Sequence, residues 1–249
     1  MRLDKFIAGV TDLSRVQAKY AIRDARVQVD GEPATGPDQQ IGEAAQVSLD
    51  GRRLATPGPR YFMLHKPLDC VCAARDREHM TVLQLLDEPN LERLHVAGRL
   101  DIDTTGLVLL TDDGQWSHRI TSPRHACEKI YRIQTADPIP AAAITSFATG
   151  VFLRDEKRRT LPATLEILGE RSARLTLQEG RYHQVKRMFA AAGNRVVALH
   201  REQVAGIALD PALAPGEYRP LTAAEVAAVS SGPRQAAAAP HTDQGTHHD

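Results

Sequence analysis

The stretch Ala55-Thr56-Pro57-Gly58-Pro59 interrupts this chain more sharply than any other. Two prolines around a glycine neither continue a helix nor sit in a central strand, so the segments on either side fold separately. The expected organisation is one domain over residues 1–56, a linker at 57–60, a second domain over 61–230 and a disordered tail over 231–249. The tail is rich in Ala, Gly and His and carries no apolar period, so it cannot build a core.

In the first segment, Leu3, Phe6, Ile7 and Val10 recur at the spacing of one helix face. Ser14 can cap a second helix whose apolar residues are Val16, Tyr20, Ala21 and Ile22. Arg15, Lys19, Arg23 and Arg26 fall mostly on its polar side. A strand follows at Arg26–Val29, closed by Asp30-Gly31, and Val47–Leu49 reads as another. In the second segment, Tyr61–Leu64, Leu107–Thr111, Ile130–Gln134, Thr164–Leu168, Ala173–Leu177 and Val196–Leu199 read as strands. Asp112-Asp113-Gly114 reads as a turn closing the second of these. Tyr182–Ala192 and Thr222–Val229 read as helices. Strands with intervening helices and several short turns predict an α+β fold with a mixed, largely antiparallel sheet.

Net charge is silent about partners, because 31 Lys+Arg balance 31 Asp+Glu. The distribution is informative. Residues 2–26 hold six basic and three acidic side chains, residues 27–50 hold five acidic and no basic ones, and residues 181–201 hold five basic and no acidic ones. Two local basic surfaces facing phosphate are compatible with a neutral total. The three cysteines, Cys70, Cys72 and Cys127, lack the spacing of a zinc site and fit reduced thiols in a cytoplasmic protein. No metal site is expected. The N-terminus is charged where a signal peptide would be apolar, and no apolar run is long enough to span a bilayer, so no membrane partner is expected.

Chemistry concentrates in the run from Gly98 to Gly114, Gly-Arg-Leu-Asp-Ile-Asp-Thr-Thr-Gly-Leu-Val-Leu-Leu-Thr-Asp-Asp-Gly. It puts Asp101 in a short polar segment before an apolar strand, with Arg99 two residues earlier. Three further segments accompany it: Lys66-Pro67, Glu128-Lys129-Ile130-Tyr131-Arg132, and Glu179-Gly180-Arg181-Tyr182-His183-Gln184-Val185-Lys186-Arg187. Together these resemble the motifs of the RNA pseudouridine synthases of the ribosomal small- and large-subunit group. Residues 1–31 resemble the small S-four-like RNA-binding domain through Met1–Phe6, Ser14-Arg15, Ile22-Arg23 and Arg26–Gly31. The resemblance spans roughly residues 1–229. The stretches 113–125 and 215–222 are similar to the small-subunit, 16S rRNA branch rather than to its large-subunit paralogues.

The resemblance implies a definite reaction. Uracil N1 parts from ribose C1′, the base turns and rejoins through C5, and the C5 proton leaves, with no cofactor and no metal. The enzyme must flip the uridine out of its stack and supply a carboxylate, an aromatic platform and a nearby cation. By resemblance, Asp101 is the catalytic carboxylate, Tyr131 the base platform and candidate proton acceptor, and Lys186 the cation paired with Asp101. Val185 packs against uracil. Arg99, Lys129, Arg181, Arg187, Arg119 and Arg124 complete the expected substrate-binding set. Arg2, Lys5, Arg15, Lys19 and Arg23 are the expected RNA contacts of the N-terminal domain. The expected partner is 16S rRNA in a small-subunit assembly intermediate, met by a monomer without a small-molecule cofactor. A large-subunit paralogue and a noncatalytic RNA-binding assembly factor are the alternatives. The Asp101, Tyr131 and Lys186 trio argues against the second.

Overall fold

The computed structural model describes residues 1–42, 44–55 and 58–230. The expected tail lies outside them. The chain divides into two compact units after Pro59.

The small unit opens with α1 (Leu3–Val10) and α2 (Arg15–Arg23). Ser14 caps α2 reciprocally: its Oγ accepts from Gln17 N at 3.3 Å, and Gln17 Oε1 accepts from Ser14 N at 2.8 Å. Strands β1 (Val27–Val29), β2 (Glu32–Pro33), β3 (Val47–Leu49) and β4 (Arg52–Leu54) form an antiparallel sheet in the order β2-β1-β3-β4. Leu3, Phe6, Ile7, Ala18, Ala21 and Ile22 pack with Val27, Val29 and Val47 as one core. Val16 and Tyr20, expected among the apolar residues of α2, are instead 60% and 58% exposed. The buried face of α2 is made by Ala18, Ala21 and Ile22, whose small side chains suit a minimal core.

The large unit is built on β5 (Tyr61–Lys66), β6 (Cys70–Val71), β7 (Met80–Thr81), β8 (His95–Val96) and β9 (Thr105–Thr111). Then come α3 (Gly114–Thr121), β10 (Lys129–Thr135), α4 (Ala142–Thr149), β11 (Thr164–Gly169) and β12 (Ser172–Leu177). The unit ends with α5 (Gln184–Ala191), β13 (Val196–Val204), β14 (Ile207–Ala208), β15 (Tyr218–Pro220) and α6 (Ala223–Ser230). The main sheet runs β11-β12-β10-β13-β9-β5-β15, with β14 on β13 and β8 on β9. Its pairings are antiparallel except β13 with β9, which is parallel. Strand alternation sends Leu64, Val108, Tyr131, Ile133, Leu175 and Leu199 to one face, where they join Val185, Met188 and Phe189 of α5 and Phe147 of α4. Met63, Leu107, Leu109 and Val204 point to the other face and pack with Trp116 and Ile120 of α3. Among the described residues no helix is long and apolar enough to cross a membrane.

Three local expectations change. Asp113 does not close a turn; its carboxylate accepts from Gln115 N and Trp116 N at 2.9 and 3.0 Å and starts α3. The basic stretch around Arg119 is therefore helical, with only Pro123–His125 forming a short 3₁₀ turn. Helix α5 begins at Gln184 rather than Tyr182, because His183 adopts a left-handed conformation with φ 48° and ψ 34°. Tyr182 and Lys186 consequently do not share a helix face. The last strand of the core runs on to Val204 rather than ending at Leu199, which brings Arg201 into the sheet.

Candidate active site

The Asp101 run crosses the protein at the parallel seam of the sheet, where His200 faces Thr105 and Arg201 faces Gly106. Gly106 is required there. It has φ +108°, and a Cβ on it would lie 2.3 Å from Arg201 O. The strands can meet only if this residue has no side chain.

Two buried cations hold the loop between Gly98 and Leu107. Lys66, 0% exposed, donates its ammonium protons to Pro67 O at 2.9 Å, Ile102 O at 3.3 Å and Thr104 O at 2.8 Å. Burial pushes its pKa down. Arg201, 1% exposed, donates to Gly98 O at 2.7 Å, Leu107 O at 2.8 Å and, more loosely, Arg99 O at 3.4 Å. Behind Asp101, Leu100 N donates to Cys72 Sγ at 3.3 Å. The cations thus satisfy backbone carbonyls that turn away from regular pairing to form the loop.

Asp101 is presented at the loop's tip, with its side chain 33% exposed. Its two carboxylate oxygens have different partners: Lys186 Nζ lies 3.2 Å from Oδ2, and His183 Nε2 lies 3.4 Å from Oδ1. Lys186 also donates to Asp103 Oδ1 at 2.5 Å. Burial lowers the pKa of Lys186, but hydrogen bonds to Asp103 and Asp101 and their charges outweigh it, so the net shift is upward. Asp103 is held below the usual carboxylate range, chiefly by its hydrogen bond from Lys186. Asp103 thus shares this cation with Asp101.

Tyr131 and Val185 belong to the same apolar cluster as Leu100, the residue before Asp101. Both are nearly buried, at 8% and 5% exposure. Asp101 directly follows Leu100 and Lys186 directly follows Val185, so both ends of the carboxylate–ammonium pair spring from an apolar wall, the cluster that includes the Tyr131 ring. That combination can position a carboxylate while receiving a planar, uncharged base.

The remaining substrate-binding expectations divide. Arg99 and Arg124 are exposed, and Arg119 lies on the last turn of α3. Lys129 is corrected: it is 8% exposed, donates inward to Cys127 O at 3.0 Å, and has its pKa lowered by burial, so it does not face phosphate. Arg181 and Arg187 are corrected too. Arg187 donates to Glu156 Oε1 at 2.6 Å and to Arg154 O at 2.6 Å. Arg181 pairs with the other oxygen of Glu156, with Glu179 and with Arg159 O. Glu179 further accepts from Gln184 Nε2 at 2.6 Å and Leu161 N at 2.9 Å. Much of the 179–187 segment is scaffold that aims Lys186 and His183 at Asp101. In the small unit, Lys5 and Arg23 are exposed and Lys19 half-exposed. Arg2 and Arg15 instead share the fully buried carboxylate of Asp4, at 3.1 and 3.4 Å. Lys66 stood out only as part of the short Lys66-Pro67 segment, and Arg201, Cys72 and Glu156 carried no local signal. Their partners lie tens of residues away in sequence.

Comparison with known proteins shows the family. A family model described as RNA pseudouridylate synthase matches residues 60–191. The chain is 57% identical over 230 residues to "Ribosomal small subunit pseudouridine synthase A" of Escherichia coli K12, covering 92% of this chain and all of that one. It is 53% identical over 231 residues to the protein of the same name from Vibrio parahaemolyticus, covering 92% and 99%. A crystal structure of a pseudouridylate synthase matches with a TM-score of 0.67 at 50% identity, over 92% of this chain and 99% of that one. The chain belongs to the RNA pseudouridylate synthase family and is an RNA pseudouridine synthase.

Proposed function

We propose that this enzyme isomerises one uridine of small-subunit (16S) rRNA to pseudouridine, with Asp101 as the catalytic carboxylate. The observation that carries the reading is the contact of Lys186 Nζ with Asp101 Oδ2 at 3.2 Å, made by residues that directly follow Val185 and Leu100 of the apolar wall that includes Tyr131. Near-full-length similarity to proteins named for the small subunit supports the choice of RNA.

In this reading the extruded uridine enters between Tyr131 and Val185. Asp101 acts on the nucleoside while the N1–C1′ bond breaks. Lys186 offsets the carboxylate's charge, and His183 fixes its second oxygen. The base turns, C5 bonds to C1′, and the C5 proton is removed with Tyr131 as the candidate acceptor. Atoms balance within the nucleoside, so no oxidant or group donor enters. Water is kept out by the same apolar wall, which favours rejoining over hydrolysis. Arg99, Arg119 and Arg124 hold phosphates near the cleft, and Lys5, Lys19 and Arg23 of the small unit dock the RNA by charge. The enzyme acts as a cytoplasmic monomer on RNA that is already part of an assembling small subunit.

Carbodiimide mapping of pseudouridine in 16S and 23S rRNA, from cells with and without the gene, tests the substrate. One site lost from 16S rRNA is expected; a loss confined to 23S rRNA overturns the subunit. Asp101→Asn tests the chemistry. RNA binding should persist while product formation disappears, and appreciable turnover by this variant would remove Asp101 from the mechanism.

A further inference from the structure

An exposed aromatic pair stands against the catalytic carboxylate, and the scheme above leaves its outer ring unused. Tyr182 is 76% exposed, more than any other large hydrophobic side chain among the described residues. Its ring stacks on His183, with centroids 3.8 Å apart and planes 19° from parallel. His183 Nε2 in turn lies 3.4 Å from Asp101 Oδ1. Asp101, His183 and Tyr182 therefore follow one another outward from the reaction centre.

The ring is exposed but its backbone is held. Tyr182 O accepts from Arg187 Nη1 at 3.2 Å, and Arg187 is fixed by Glu156 and Arg154 O. On the other side, His183 turns left-handed, and Arg181 N donates to Gln184 Oε1 at 2.8 Å across the bend. A non-glycine residue in the left-handed region is costly, and such strain persists where the surroundings enforce it. Here the bend does two things. It delays the start of α5, and it lays Tyr182 over His183 instead of onto the face of the helix.

A fixed ring with one face covered by an imidazole and the rest open to solvent suits a second flat, aromatic partner. Nucleobases are such partners, and every base has a π-face. Extruding a uridine strips its neighbours of a stacking contact. We propose that Tyr182, backed by His183, is a stacking ledge for the unpaired base next to the reacting uridine. The ledge binds RNA beside Asp101 and ties that contact, through His183, to the carboxylate that reacts. This inference rests on the reading of Asp101 as the catalytic carboxylate of an enzyme acting on RNA.

The test uses the full-length chain and a 16S rRNA fragment containing the mapped uridine, with 2-aminopurine at one or the other flanking position. Asp101→Asn holds the complex without turnover. Stacking quenches 2-aminopurine, so its fluorescence should fall at one flanking position. The double variant Asp101→Asn with Tyr182→Ala should lose that quench, and Asp101→Asn with Tyr182→Phe should keep it. In turnover, Tyr182→Ala alone should lower kcat/KM by roughly 5- to 150-fold, the range for one base–aromatic contact, while Tyr182→Phe stays close to wild type. An unchanged urea midpoint would exclude misfolding, as expected for so exposed a ring. If Tyr182→Ala retains both quench and turnover, the ledge is overturned. If the wild-type chain makes no pseudouridine in any rRNA fragment, the functional reading fails instead, and the two failures are distinct.

Discussion

Residues 98–107 and residues 179–187 meet at the contact between Asp101 and Lys186, and they are built in opposite ways. The first segment is held by its backbone: Lys66 and Arg201 reach in from β5 and β13 and donate to its carbonyls. The second is held by its side chains, with Arg181, Arg187 and Gln184 bonded to Glu156 and Glu179. Clamping the backbone leaves the Asp101 side chain as the free element of its loop. Clamping the arginines leaves Lys186, His183 and Tyr182 as the free elements of theirs. Arg181 and Arg187 are thus structural, which leaves Arg99 of the first as the exposed arginine of the two segments.

The largest effect should come from removing a backbone clamp. Lys66→Met would leave Pro67 O and Thr104 O without the ammonium that pairs them, at roughly 1–3 kcal/mol per orphaned carbonyl, while Ile102 O would keep Asp69 N at 3.1 Å. We expect a drop of several kcal/mol in urea unfolding of the large unit and loss of turnover even where the variant remains folded. A variant with wild-type stability would mean that the loop holds itself and the comparison fails. Gly106→Ala should follow. Its Cβ would meet the Arg201 backbone at φ +108°, and forced overpacking costs about 1–3 kcal/mol before strain is added. Because the obstacle is backbone, β9 and β13 must separate, which moves the loop that carries Asp101. A matching fall in kcat is expected.

These two expectations show which parts were open to reading from the sequence. Asp101, Tyr131 and Lys186 stand in contiguous motifs; alternation placed the strand that carries Tyr131, and a continuous apolar run the one that carries Leu107. What escaped was long-range or conformational. Arg201 sits two positions beyond Leu199, where the strand reading ended, and nothing local ties it to Gly98. Glu156 lies in an irregular stretch between α4 and β11, so its claim on Arg187 is invisible without the fold. Asp113-Gly114 carries the composition of a turn, although Asp113 is a cap. Nothing beside His183 in the sequence fixes its left-handed backbone, so the helix starts two residues later than its apolar spacing implies. Each miss arises where a partner distant in sequence, or an enforced backbone angle, overrides local preference.

A smaller effect separates the two uses of arginine. Arg187→Gln should cost about 1 kcal/mol of stability, as expected for a partly exposed ion pair with additional carbonyl bonds. It should leave the salt dependence of RNA binding unchanged. Lys19→Gln should behave in reverse, leaving stability intact and reducing the slope of log affinity against log salt by about one. Titrating RNA binding from low to moderate salt for both variants checks this. If Arg187→Gln lowers the slope as well, its guanidinium exchanges Glu156 for phosphate in the complex, and the side-chain clamp is part of docking.

The smallest expected effect tests whether a carboxylate–arginine cluster that holds no catalytic group behaves as structure alone. Arg219 on β15 donates to Glu225 of α6 at 2.8 and 2.9 Å and to Asp210 at 2.7 Å. The hydrogen bonds from Arg219 pull the Glu225 pKa from 4.5 to about 2. A carboxylate whose pKa is depressed by folding stabilises the native state above its unfolded value and loses that contribution as protons bind. The contribution of Glu225 is therefore complete above about pH 4.5 and fades as pH falls towards 2. Arg219→Gln should be less stable than wild type at pH 6, with the difference shrinking through that window. Urea midpoints measured for both proteins from pH 6 down to the acid limit give the comparison, with turnover at neutral pH as a second readout. A constant gap across the window would mean that Arg219 acts by packing rather than by charge. A fall in kcat at neutral pH without loss of stability would mean that the α6 edge is coupled to the Asp101 loop, a connection that the backbone clamps by themselves do not require.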